Sequence, residues 1–197
     1  YYDKIIVSWA FKKNFSKEGI FSDEVLNTKS NQIKNSLWFL IYSHEELPKK
    51  IEKNCILLAP FKNKKFNFFF LLKNILKNIF KKYNSIVFNL QLFSSYSIFA
   101  NESEKFFNSY LKKDLKLIFM PYEAQPFQNK FFLNAKKLSN KINTIGYVHS
   151  PPEAFPVQSL IKNGYPEKLI LNGKDQKYCY KKFLGWKNKK IYILPSL

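Results

Sequence analysis

Arginine is absent from this sequence of 197 residues: all 33 basic residues are lysine, and they are opposed by only 14 acids. Base readout and planar phosphate recognition usually use the guanidinium fork of arginine. The net charge of +19 therefore does not by itself predict a nucleic-acid-binding protein. Because Lys, Asn, Ile and Phe are abundant together, we attribute most of the charge to an A/T-rich coding sequence. A basic, non-enzymatic nucleic-acid-binding α/β protein remains the alternative.

Cysteine and histidine are also scarce, with two of each. Cys55 and Cys179 are too few and too far apart to predict a disulfide framework or a zinc site. His44 and His149 have no HExxH-like spacing to a further ligand. We therefore expect reduced thiols in a cytoplasmic protein, with no metal and no other cofactor.

No apolar run is long enough to cross a bilayer, since the longest, 66–80, is short and contains Lys73 and Lys77. As a helix over 66–83, this segment places Lys73, Lys77 and Lys81 on one face and its Leu, Ile and Phe side chains on the other. One interpretation is a surface helix packed on a sheet. The other is docking on an anionic membrane surface.

The apolar content of 46%, with 21 Phe and 12 Tyr, argues against disorder. Short apolar runs alternate with helical stretches, which is typical of an α/β chain with a mainly parallel sheet. Strands are predicted at 4–9, 37–42, 55–59, 116–120, 144–148, 168–171 and 191–194. Helices are predicted at 66–83, within 86–113, and at 127–140, 156–163 and 174–184.

Polar clusters follow two of these strands directly. Tyr122, Glu123 and Gln125 come after the fourth strand, and His149 and Ser150 after the fifth. Carboxyl ends of parallel strands meet at one edge, where α/β proteins bind ligands, and right-handed crossovers keep the two strands parallel. We therefore expect Glu123 and His149 to lie within reach of one ligand.

A carboxylate can accept a proton from a hydroxyl, and an imidazole can do the same or, when charged, contact a phosphate. Neither residue is specific alone, since a Glu before a helix can simply interact with the helix N-terminus. The prolines after His149 predict a rigid loop. At the end of the first strand, Trp9 and the later Asp23 could reach the same edge, although an ordinary solvated loop is the alternative for Asp23.

Six stretches spread over the chain carry a family resemblance: "IIVSWAF", "GIFSDEVLN", "WFLIYSHEELP", "MPYEAQPFQNKFF", "IGYVHSPPEAFP" and "YILPSL". They resemble the amino-terminal, acceptor-side domain of bacterial GT-B type glycosyltransferases of surface-polysaccharide biosynthesis. The resemblance implies a Rossmann-like open, mainly parallel sheet with helices on both faces. Residues 1–197 would be one such domain of a longer two-domain protein, inactive without the donor-binding domain.

The resemblance also implies transfer of a sugar from a nucleotide-sugar donor to a glycan or lipid-linked acceptor, without a required metal. Glu123 and His149 would take catalytic or donor-phosphate roles. The further substrate-binding positions are Tyr122, Gln125, Ser150, Asp23 and Trp9. The protein would be cytoplasmic or peripheral at the inner face of the membrane. An epimerase or dehydrogenase would need a glycine-rich turn where this chain has "SWAFKKNFS".

Overall fold

The computed structural model describes residues 1–59, 95–149, 159–160, 163–187 and 190–194. The predicted helix 66–83, most of the predicted helix 156–163, and Ser150 with the prolines that follow it lie outside the described residues.

The described strands are β1 Lys4–Ala10, β2 Ser22–Asp23, β3 Thr28–Lys29, β4 Ser36–Tyr42, β5 Cys55–Leu58, β6 Leu117–Pro121, β7 Asn143–Tyr147, β8 Lys168–Leu171 and β9 Ile191–Ile193. Seven of them form one sheet in the order β5-β4-β1-β6-β7-β8-β9, and all its pairings are parallel. β2 and β3 form a separate antiparallel hairpin. All seven predicted strands are confirmed, as is the Rossmann-like open sheet.

The neighbouring strands β4 and β1 are largely apolar because both of their faces are covered. Every residue of β4, "SLWFLIY", is buried. β1 is nearly as buried, with only Lys4 and Trp9 partly exposed. Continuous apolar runs of this kind are typical of parallel strands, whose crossover connections cover the sheet.

Three α-helices are described: α1 Ser95–Asn108, α2 Pro126–Leu138 and α3 Lys174–Lys182, and a 3-10 helix spans Lys12–Asn14. α2 begins with a proline, whose fixed φ suits the first helical position. Lysines in the last turns of α2 and α3 interact favourably with the negative helix ends. Predicted helices 127–140 and 174–184 are confirmed to within two residues at each end.

One face of the sheet packs against all three described α-helices. Phe39 of β4 contacts Phe131 of α2, with ring centroids 5.7 Å apart. Phe131 in turn stacks on Phe107 of α1 at 3.9 Å and 5°. α3 contributes the buried Tyr180 to the same cluster. Since full burial of one such side chain contributes about 1.5–3 kcal/mol, these aromatic contacts are a major source of stability.

The other face of β1 and β4 is covered by the segment between them rather than by one of the described α-helices. Phe21, which precedes β2, packs on Trp38 of β4 with ring centroids 5.4 Å apart. Phe15 and Leu26 pack against the same cluster, which also includes the buried Cys55. The β2–β3 hairpin and its flanking turns thus take the place of the helix expected between two parallel strands.

The strand order contains one reversal. From β1 the chain adds β4 and β5 on one side, and it then returns to add β6, β7, β8 and β9 on the other side. Ligands of open α/β sheets bind beyond the carboxyl ends of the strands at such a reversal, here between β1 and β6. Within the described residues, no helix combines the length and apolarity needed to cross a membrane.

The two free cysteines should react very differently with a thiol reagent. Cys55 is buried, and burial raises the pKa of its thiol to about 11, so almost no thiolate forms at pH 8. Cys179 is partly exposed.

We expect native protein at pH 8 to be alkylated by iodoacetamide first at Cys179, as measured by peptide mass spectrometry. Protein unfolded in guanidinium is the control, and there both thiols should react. Equal labelling of the native protein would contradict this burial.

Candidate functional site

The register of β6 and β7 makes the two strands end at the same level. Met120 lies opposite Gly146 and Pro121 opposite Tyr147. The ladder continues one step further, where the Tyr122 N–H donates to the Tyr147 carbonyl at 2.7 Å. Both chains therefore leave the sheet side by side, and the first polar residues after each strand enter the same space.

Glu123 and His149 meet in that space. The distance from Glu123 Oε1 to His149 Nε2 is 3.8 Å, and both side chains remain partly exposed, at 41% and 27%. The prediction that neighbouring strands bring this acid and this imidazole together is confirmed. The separation exceeds that of a direct hydrogen bond. Hydrogen bonds between catalytic groups are often this long in the absence of substrate.

A buried glutamine holds the loop that carries Glu123. Gln128, in the first turn of α2, is 1% exposed. Its Nε2 donates to the Pro121 carbonyl at 2.7 Å, and its Oε1 accepts the N–H groups of Glu123 and Gln125, each at 3.0 Å. Between them, Ala124 has a φ of 57°, in the left-handed region that non-glycine residues seldom adopt. One side chain thus fixes the backbone on both sides of a strained residue.

The Glu123 carboxylate is oriented by Gln125. Gln125 Nε2 donates to Glu123 Oε2 at 2.8 Å, while the other oxygen, Oε1, is the one nearest His149. Gln125 was predicted to line the site, and its place beside Glu123 agrees with that expectation. The direct contact with a ligand stays a prediction.

His149 is tied to the next strand. Its backbone carbonyl accepts the Asn172 Nδ2–H at 2.9 Å, and Asn172 Oδ1 accepts the Tyr147 hydroxyl at 3.0 Å. Asn172 directly follows β8, so the ends of β6, β7 and β8 all contribute to the site. His149 Nδ1 is buried and has no hydrogen-bond partner among the described residues. Nε2 is the ring nitrogen on the side of the carboxylate.

Tyr122 lies beneath the loop, in the core. It is 1% exposed, and its hydroxyl donates to Asn129 Oδ1 at 2.9 Å. Burial raises the pKa of this phenol, so it remains protonated. The described contacts of Tyr122 are therefore structural, and its predicted place among the substrate-binding residues remains untested.

Gly146 makes room for Tyr122. A Cβ at position 146 would lie 2.8 Å from Tyr122 Cβ and 2.9 Å from Pro166 Cγ, both closer than real Cβ contacts. Because Gly146 has no side chain, the Tyr122 ring can pack across β7 at this position.

Trp9 and Asp23, also predicted to bind substrate, lie on different sides of the sheet. The half-buried Trp9 contacts Phe127 at the start of α2, with ring centroids 5.8 Å apart and planes at 88°. Asp23 lies in the segment covering the other face and is 4% exposed. Its Oδ1 accepts the N–H groups of Val25 and Leu26, each at 2.8 Å, as an aspartate does in an Asx turn.

Sequence reasoning missed two residues of this site, Gln128 and Asn172. A glutamine at the third helical position is one half of a capping box, but the residue before the helix is Gln125 rather than Ser, Thr, Asp or Asn, so the full sequence signal for Gln128 is missing. Nothing in the sequence links Asn172 to His149, because their contact depends on the pairing of β7 with β8. Among the described residues, no group of three or more His, Cys, Asp or Glu side chains could hold a metal ion.

No protein-family model matches the chain, and no curated protein matches it either. Among solved structures, the chain is similar to a glycosyltransferase from Rickettsia africae ESF-5, with 11% sequence identity and a TM-score of 0.40. The match covers 99% of this chain and 43% of that protein, so the chain spans less than half of its length.

Replacement of Gly146 by serine should destabilise the fold, whereas the same replacement at Gly173 should not. A side chain at position 146 must displace Tyr122 or Pro166, and such overpacking costs about 1–3 kcal/mol. At Gly173 no atom lies within 4 Å of the place that a Cβ would take, and serine is favoured at its position before a helix. Urea unfolding monitored by circular dichroism measures both free energies of unfolding. Equal stability of Gly146→Ser and the wild type would contradict the described packing under the loop.

Proposed function

We propose that the chain is the acceptor-side domain of a GT-B type glycosyltransferase of surface-polysaccharide synthesis. It would transfer a sugar from a nucleotide-sugar donor to a glycan or lipid-linked acceptor. The observation that carries the proposal is the 3.8 Å approach of Glu123 to His149 at the carboxyl edge of neighbouring parallel strands. The catalytic roles that we propose for this pair follow from the family resemblance of the sequence.

In the proposed reaction, Glu123 acts as the general base. An acceptor hydroxyl gives its proton to the carboxylate while its oxygen forms a bond to the anomeric carbon of the donor sugar. The bond from that carbon to the nucleotide diphosphate breaks, and the leaving phosphate takes the electron pair. A carboxylate can accept this proton only within hydrogen-bond reach or through one water, so its fixed orientation by Gln125 matters.

His149 would contact the leaving phosphate or the substrate. When protonated, an imidazole stabilises the charge that develops on the phosphate oxygens. The hydrogen bond from Asn172 to the His149 carbonyl supports this assignment. A residue that is already held in place loses little conformational freedom when it contacts the substrate. The second domain of a GT-B enzyme would supply most of the contacts to the nucleotide, and no metal is required.

The location of the site supports the same proposal. The pair follows β6 and β7, and β6 borders the reversal of strand order at which open α/β sheets bind ligands. We further propose a cytoplasmic protein that associates peripherally with the inner membrane face, where a lipid-linked acceptor is presented. The predicted segment for that contact, 66–83, lies outside the described residues.

Removal of either functional group should abolish most of the activity of the full-length protein. The variants Glu123→Gln and His149→Gln keep the size of each side chain approximately, and we expect each to slow transfer by about two to four orders of magnitude. The assay measures nucleoside diphosphate released from UDP- and GDP-linked sugars in the presence of a bacterial lipid extract as acceptor.

The matched controls are Glu45→Gln and His44→Gln. Both positions are exposed and follow β4, and His44 is the other histidine of the chain. Both should retain nearly normal rates and unfolding free energies. Normal rates in Glu123→Gln and His149→Gln would overturn the assignment of the pair. No diphosphate release from any donor by wild-type protein would overturn the proposed reaction.

A further inference from the structure

We infer that α3 and the turn after it form a docking surface for an anionic lipid membrane. The α3 surface consists of the exposed residues Lys174, Tyr178, Lys181, Lys182 and Phe183. It is separate from the Glu123–His149 pair and from segment 66–83. The inference does not depend on the chemistry of sugar transfer.

The orientation of α3 is set by its buried aromatic residue. Tyr180 is 2% exposed and belongs to the core cluster, together with Leu184 and Trp186 just after the helix. At about 100° per residue, Tyr178 lies about 160° around the helix from Tyr180. It accordingly points outward and is 56% exposed. The apolar side of α3 is thus used by the core, and the outward side carries an aromatic ring that the fold does not bury.

A second exposed ring and an ammonium group accompany Tyr178. Phe183 is 46% exposed, and its ring centroid is 6.4 Å from that of Tyr178. The Lys182 ammonium lies 5.2 Å from the Tyr178 ring centroid and 5.3 Å from that of Phe183. It also donates to the Tyr178 hydroxyl at 2.7 Å. The two rings and the cation therefore form one outward-facing unit.

The positive charge around these rings is poorly compensated. Asp175 is the only acid between Lys174 and Lys190 in the sequence. Lys174 and Lys181 form no ion pair within the part of the chain that the structure describes. Exposed lysines elsewhere, such as Lys49 and Lys53, also lack an ion pair within the described residues, so unpaired charge alone does not distinguish this surface. The α3 surface combines that charge with two adjacent exposed rings.

Exposed aromatic rings beside lysines suit the lipid headgroup region. Tyr and Trp are enriched at that depth because their rings are amphipathic, and each lysine near an anionic leaflet adds to the attraction. Since the apolar side of α3 stays in the core, the helix would lie on the membrane without inserting. Binding would then be largely electrostatic and would weaken with salt.

A nucleic acid fits this surface less well. Proteins that bind single strands without sequence preference use a positively charged groove that follows the backbone over several nucleotides. α3 is a convex helix of nine residues, about 14 Å long. The chain also lacks arginine, whose planar guanidinium is preferred for phosphate and base recognition. A membrane requires neither a groove nor a defined phosphate geometry.

Flotation of the full-length protein with lipid vesicles tests the inference. The probes are vesicles of phosphatidylcholine alone and of phosphatidylcholine mixed with phosphatidylglycerol. We expect binding only to the anionic vesicles, with a loss of at least about tenfold in affinity for Lys181→Glu/Lys182→Glu. Tyr178→Ser/Phe183→Ser should also weaken binding at constant net charge, because the rings no longer enter the headgroup region.

The matched control is Lys49→Glu/Lys53→Glu, which makes the same change of net charge between β4 and β5. That connection lies at the opposite end of the sheet from β9, beside which α3 packs, and both lysines are exposed. We expect the control to bind within about threefold of wild type, since surface charges act over roughly 10 Å. All changed residues are exposed, and circular dichroism confirms that each variant is folded.

Three results would overturn the inference. The first is no binding of the wild type to anionic vesicles. The second is an equal loss in the Lys181/Lys182 and Lys49/Lys53 variants, which would indicate attraction by net charge alone. The third is salt-sensitive binding of a single-stranded oligonucleotide that depends on Lys181 and Lys182, while vesicle binding does not.

Discussion

The parallel register between β6 and β7 determines where the chain can place its chemistry. Because Pro121 lies opposite Tyr147, the two strands end together, and the residues that follow enter one space. A shift by one residue would turn the side chains of one strand to the opposite face. Glu123 and His149 come from loops separated by a helix, so their 3.8 Å approach depends on this alignment. The packing of Tyr122 against Gly146 depends on the same alignment.

Three polar side chains convert that alignment into a defined site. Gln128 fixes the backbone around the strained Ala124, and Gln125 holds one oxygen of the Glu123 carboxylate. Asn172 connects the His149 backbone to the Tyr147 hydroxyl across β7 and β8. Such contacts reduce the motion of the groups that would meet a substrate, which is the form of preorganisation that catalysis requires. These contacts thus position both Glu123 and His149.

Much of the sheet could be predicted from the sequence, because parallel strands buried on both faces are continuous apolar runs. "LWFLIY" and "KLIL" are runs of this kind, and their short length favours strands over helices. The approach of Glu123 to His149 could also be predicted, since the βαβ unit leaves few possible arrangements. Contacts between distant side chains could not. The link from Asn172 to His149 and the burial of Tyr122 depend on packing that local patterns do not encode.

The central claim is that Glu123 and His149 act on one substrate as a unit, and a double-mutant cycle tests it most directly. The measurement compares the transfer rate of the full-length protein with those of Glu123→Gln, His149→Gln and the combined variant. Residues that act together give strongly non-additive effects, so the combined variant should be little slower than the slower single variant. A rate loss in the combined variant equal to the product of the two separate losses would contradict the account.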